Sequence, residues 1–184
     1  MLLQREKFTP WIRNYLQKRY PELVPPLQRA LEAFDRAESS GILPVDDLTT
    51  LTDASRDSRK PLSENIAYLL GYLARRFDSA REAIHQMSKD PKAHIRINAL
   101  VALDRIGTCQ ARTSLVCAAL RDRSTRVRGL AADKICGWNM TEAIPDLDRA
   151  IVNESNAALR RELEWQRDLL RDGYSLQARG DGRV

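Results

Sequence analysis

The sequence predicts an all-α fold of about nine helices, arranged as an α-solenoid of stacked helical hairpins, and three observations lead there. An apolar-Arg pair recurs at a fixed interval: Ile95-Arg96, Val127-Arg128 and Leu159-Arg160 stand 32 residues apart. Behind each pair the apolar residues follow a helical period rather than an alternating one. Composition agrees, since aromatics at 6% and 8 glycines are sparse for a sandwich or barrel, whose strands and turns need both. With 43% apolar and 30% charged residues, the 184-residue chain has enough apolar material to fold and too little charge to remain disordered.

The elements follow in order. Residues 1–60 form an N-terminal cap to the array, with helices expected at Phe8–Arg19, Pro26–Ser39 and Pro44–Ala54. Leu27, Ala30, Leu31 and Phe34 share one face of the second of these. Ser39-Ser40-Gly41 breaks the chain after it, and Asp53–Lys60 is polar enough to be an exposed loop. Residues 61–172 carry the repeats. A first, degenerate copy runs Leu62, Ile66, Ala67, Leu70, Leu73; the second runs Ile95, Ala99, Leu100, Leu103, Ile106; the third runs Val127, Ala131, Ala132, Ile135, Trp138. The last keeps Leu159, Leu163 and Leu170 but holds Glu164 and Arg167 between them, drift of the kind terminal repeats show. Trp138 falls in the column of Leu73, Ile106 and Leu170, which makes it a core residue.

Turn elements precede the pairs: Asp90-Pro91, Asp122-Arg123-Ser124 and Asn153-Glu154-Ser155 supply helix-capping chemistry. Shorter amphipathic segments lie between the stripes, with Leu115, Ala118 and Ala119 in one and Leu147, Ala150 and Ile151 in the other, so each unit is two helices. Gly107 and Gly137 suit helix C-termini. Residues 173–184 have no apolar period and read as a flexible tail.

The stretches IRxxALVALDRIG at Ile95–Gly107 and VRGLAADKICGW at Val127–Trp138 resemble the short HEAT-like repeat also found in phycobilin lyase subunits. That repeat runs Asp-Pro, then Val-Arg, then an Ala-rich stripe. The resemblance is good over residues 90–152, fair over 61–89 and 153–172, and only architectural over 1–60. It implies an α-solenoid whose apolar-Arg helices line a concave face. It also implies that Arg96, Arg128 and Arg160 are structural, each pairing with the Asp of a turn; guanidinium-carboxylate chemistry favours that pairing. In this register the concave positions include Tyr68, Tyr72, Asn98, Arg105, Asp133, Arg161 and Trp165. Rigid aromatic rings among arginines suit a binding groove.

No phosphate loop, nucleophile elbow, zinc motif or Cys-x-x-Cys spacing occurs, so the reading is non-catalytic, with no cofactor and no metal. His85 and His94 are not followed by Glu, which removes the paired His-Glu steps of the HEAT-like metal hydroxylases. The three cysteines are odd in number, and no run of about 18 apolar residues is present, so a cytoplasmic protein without a membrane partner is expected. The function read from the sequence is a protein-binding scaffold that takes a protein or peptide segment in its groove. Nucleic-acid binding or a DNA-glycosylase-type repair role is the alternative. The net charge of +5 permits it, but Asp104, Asp133 and Glu164 interrupt any basic stripe. A chromophore lyase or chaperone role rests on the resemblance alone. The densest basic run, Arg121–Arg128, makes Arg123 and Arg126 candidate contacts for an acidic partner.

Overall fold

The computed structural model describes residues 5–107 and 109–173, with side chains from Pro10 onward. Ten α-helices are found among the described residues, and no strand, so the all-α expectation holds. They are α1 (Arg5–Arg19), α2 (Val24–Ser40), α3 (Val45–Ser55), α4 (Lys60–Leu73), α5 (Asp78–Ser88), α6 (Ala93–Ile106), α7 (Gln110–Ala119), α8 (Thr125–Gly137), α9 (Ile144–Asn153) and α10 (Ala157–Arg171). The flexible tail expected at 173–184 falls, beyond Gly173, outside the described residues. The chain divides into two compact units, with the boundary after Gly107.

In the first unit each helix packs on the next from α2 to α6, and α2, α4 and α6 also pack on one another in succession. The buried stripe of α2 is Leu27, Ala30, Leu31 and Phe34, joined by Ala33 and Ala37 at helical spacing. Prolines in its first turn cost it no hydrogen bond. Gly41 closes it in the left-handed conformation, its N–H bonded to the Ala37 carbonyl at 3.1 Å. Leu62, Ile66, Ala67, Leu70 and Leu73 of α4 are all buried, as their spacing requires. α4 and α6 approach closely, so that a Cβ on Gly71 would stand 2.0 Å from the Ala102 carbonyl oxygen. Asp53–Lys60 is not an exposed loop: α3 continues to Ser55, which is wholly buried, and only Arg56–Arg59 bridge to α4.

In the second unit α7 packs on α8, α8 on α10 and α9 on α10. Leu147, Ala150 and Ile151 of α9 face inward as expected. In α7 the inward face is Arg112, Val116 and Leu120 instead of Leu115, Ala118 and Ala119. Two large apolar side chains four residues apart outweigh a pair of alanines in setting which face is buried. Gly107 does adopt a positive φ after α6, whereas Gly137 is the last helical residue of α8 and Asn139 (φ 54°) takes the left-handed position beyond it.

One turn recurs along the chain. Asp57, Asp90, Asp122 and Glu154 each accept the backbone N–H two residues on, from Arg59, Lys92, Ser124 and Asn156, at 2.7–2.8 Å. Six residues after three of these acids an arginine returns to the turn. Arg96 donates to the Asp90 carbonyl at 2.8 Å and Arg128 to the Asp122 carbonyl at 2.8 Å, and Arg160 donates to the Glu154 carbonyl. The recurring arginines therefore close the turns through main-chain oxygens. Arg128 also reaches the next carboxylate, Glu154, with a two-pronged contact at 2.7 and 2.8 Å.

Candidate functional site

In the first unit the tyrosines of α4 lie one turn apart, so Tyr68 and Tyr72 share a face. Neither is buried. The Arg105 guanidinium from α6 sits 5.2 Å above the Tyr68 ring, and Phe34 of α2 meets the Tyr72 ring at 5.8 Å, tilted by 56°. Arg75 lies 5.7 Å from the same Tyr72 ring. Partial burial, and next the Asp104 carboxylate, push the Tyr68 hydroxyl above its ordinary pKa, so it stays a neutral phenol at any physiological pH. Three of the four candidates in this unit thus gather on the face built by α2, α4 and α6.

The fourth does not. Asn98 is buried, and its amide donates to the Ser55 carbonyl at 2.8 Å across to α3. His94, one turn earlier on α6, lies 3.3 Å from the Arg56 carbonyl, so the first turns of α6 satisfy the open C-terminal end of α3. Asn98 is a cross-helix tie rather than a groove contact. A position on the repeat register says which face a residue lies on, but not whether a neighbouring helix end already occupies it.

In the second unit α8 and α10 bring Asp133 and Gln166 together. The buried Gln166 amide donates to Asp133 Oδ1 at 2.6 Å, while its own carbonyl oxygen has no hydrogen-bond partner. Desolvation raises the Asp133 carboxyl above the usual range, against the lowering effect of the Gln166 amide. Trp165 is 39% exposed, and Arg161, one turn before it, is exposed and bonded to the Ala157 carbonyl. Of the residues predicted from the register, Tyr68, Tyr72 and Arg105 gather in the first unit, and in the second unit Asp133 is bonded to Gln166.

Arg123 and Arg126 are exposed, on the turn before α8 and in its first turn. Their neighbours in the run have internal duties. Arg121 reaches Asp146 at 3.3 Å, and Arg128 is committed to Glu154. A cleft of about 410 Å³ opens here, lined in part by Arg121, Arg128, Arg149 and Glu154. Arg149 also pairs with Asp146, at 2.6 Å, so the guanidiniums of the cleft are answered by carboxylates. It carries little net attraction for an anion.

One pairing was not foreseen. Trp138 is half-buried, not a core residue, and the Arg112 guanidinium stacks 4.2 Å from its ring centroid, with the Lys134 ammonium at 5.8 Å. Arg112 is only 9% exposed and its Nε has no hydrogen-bond partner. The spacing of Arg112, Val116 and Leu120 carried the signal, because three residues at successive i, i+4 steps share one helix face. Among the described residues no group of His, Cys, Asp and Glu is placed to hold a metal, and no helix is long and apolar enough to cross a membrane. Comparison with protein-family models, with curated proteins and with solved structures finds no match to this chain.

Proposed function

We propose that the chain is a HEAT-like α-solenoid that works in the cytoplasm as a non-catalytic binding module for a protein or peptide segment. In the first unit the contact residues lie on α4 and α6; in the second unit, taken by itself, they lie on α8 and α10. Two features support the solenoid. Alternate helices pack on one another within each unit, and the same acid-capped turn returns at steps of 32 or 33 residues, three of its four copies with the arginine closure.

The observation that carries the binding reading is the state of the aromatic rings. Tyr68 is held half-exposed under a guanidinium, and Trp165 stands 39% exposed on α10, next in sequence to Gln166, whose amide oxygen has no hydrogen-bond partner. Rings fixed in this way give contact area at small entropic cost, and arginine and aromatic positions dominate binding surfaces. Asp104, Asp133 and Glu64 interleave with the cations of these helices, which favours a mixed polypeptide surface over a phosphate backbone.

The test is affinity capture from a lysate, followed by calorimetry of the purified partner against the chain and against Y68A, R105A and W165A variants. Each substitution is expected to weaken binding about tenfold, with helical circular dichroism unchanged. Unchanged affinity in all three variants overturns the reading. Association with duplex DNA that weakens steeply as salt rises points instead to the nucleic-acid alternative.

A further inference from the structure

The most exposed large ring among the described side chains lies outside this face. On α1, Trp11 is 61% exposed and Tyr15 38% exposed; Tyr20, just past the helix, is 36% exposed. The three rings form one surface. Trp11 and Tyr15 stack with centroids 5.9 Å apart and planes 12° from parallel, and Tyr15 meets Tyr20 at 6.3 Å and 53°. The patch is not a by-product of folding, because α1 is anchored through its other side, where Ile12 and Leu16 are 1% and 0% exposed. Water-facing aromatics gathered in a contiguous patch mark an interaction site.

Its charge selects the partner. From Pro10 to Tyr20 the chain carries Arg13, Lys18 and Arg19 and no acidic residue, and all three cations are exposed. Lys18 and Arg19 suit the C-terminal end of a helix dipole, which accounts for their place but not for the rings beside them. A second copy of the chain would set like charges against each other. A membrane surface needs a broad apolar stripe to bury, and the aliphatic side chains of this helix already face inward. An aromatic platform flanked by exposed cations, of which Arg13 also donates to Gln28, matches a strand of unstacked bases along a phosphate backbone. We propose that the exposed face of α1 binds single-stranded nucleic acid, with Trp11 and Tyr15 stacking on bases and Arg13, Lys18 and Arg19 contacting phosphates. This surface is independent of the face assigned to a polypeptide partner.

The test uses the full chain and a fluorescein-labelled oligothymidylate about 20 nucleotides long, followed by fluorescence anisotropy over a series of salt concentrations. Three phosphate contacts give a slope of log affinity against log salt of about −2. The double variant W11A/Y15A is expected to lose about tenfold or more in affinity, and W11F/Y15F to keep most of it because the rings remain. Both positions are exposed, so circular dichroism should be unchanged. Replacing Arg13, Lys18 and Arg19 with Ala should flatten the salt slope. Absence of binding at low salt, or equal affinity for the wild type and W11A/Y15A, overturns the proposal. So does binding to vesicles containing phosphatidylserine, or to a polyglutamate peptide, that needs the same rings while oligothymidylate is ignored.

Discussion

Arg128 and Glu154 join one repeat to the next: the guanidinium of α8 grips the carboxylate of the turn before α10 with two bonds of 2.7 and 2.8 Å. The Glu154 side chain is 1% exposed and that of Arg128 17%. The same carboxylate accepts the Asn156 N–H, and the carbonyl of the same residue accepts Arg160, so one residue organises the start of α10. Removing one partner strands a buried charge, which costs about 3–5 kcal/mol in dry surroundings. E154A is expected near the lower end, since the Arg128 side chain keeps some access to water. Urea unfolding of wild type, E154A and R128A checks this; a loss under about 1 kcal/mol would place the pair among ordinary surface bridges.

The pair also sets an acid limit. The Arg128 hydrogen bonds hold the Glu154 carboxyl below the usual glutamate range, and the Arg59 side chain does the same to Asp57. A depressed folded-state pKa contributes stability that is present above the unfolded value, about 4.3 for Glu, and is lost as pH falls through the folded value. Asp133, raised by desolvation, works in the opposite sense. E154Q is therefore expected to be less stable at pH 7 and to lose less stability on acidification than wild type, as read by thermal unfolding from neutral pH down to about pH 3.

The turn at Glu154 shows how far the sequence could be read. The 32-residue step located it, as it located Asp90 and Asp122, because capping acids and apolar stripes are local signals. The partner of Arg128 was not legible, since two carboxylates lie within reach of the turn and only packing chooses between them. Asn98 shows the same limit at the candidate site. Tyr68 and Arg105 came together because they share a register, while Asn98 was claimed by the end of α3, a helix belonging to no clear repeat copy. The inward face of α7 is not legible from spacing alone, because its alanines make the periodic signal shallow.

Asn98 accordingly yields a stability prediction. Its amide donor serves the buried carbonyl of Ser55, whose hydroxyl is shared between the Thr52 carbonyl and the Met87 sulfur. N98A leaves that carbonyl unsatisfied and is expected to cost about 1–3 kcal/mol. Partner affinity of the folded protein should be unchanged, in contrast to Y68A. A variant as stable as wild type would show that the tie is dispensable.

The thiols should separate by reactivity. Burial, followed by the Asp146 carboxylate, pushes the Cys117 thiol up to about 11. Only about one molecule in a thousand carries the thiolate at pH 8. Cys109 is exposed and Cys136 buried. Labelling with a thiol reagent at pH 8 should modify Cys109 first, Cys117 slowly and Cys136 only on unfolding, with site occupancy read by peptide mass spectrometry. D146N removes the charge that opposes the thiolate and should speed Cys117. Labelling of Cys117 as fast as Cys109 contradicts the assigned environment.

Two glycines inside helices should respond to alanine in opposite ways. In a helix interior alanine is favoured over glycine by about 1 kcal/mol. At Gly129 the added methyl would meet only the Leu159 Cδ1 at 3.5 Å, an ordinary contact, so G129A should keep most of that gain. At Gly71 it would stand 2.0 Å from the Ala102 carbonyl oxygen and 2.8 Å from its carbon, both backbone atoms that cannot swing aside. Relief requires α4 and α6 to move apart along a packed seam, with a cost of about 1–3 kcal/mol or more that exceeds the propensity gain. G71A is thus expected to lower the melting temperature and G129A to raise it or leave it unchanged. If both variants melt together, the close approach of α4 to α6 is not a constraint on the fold.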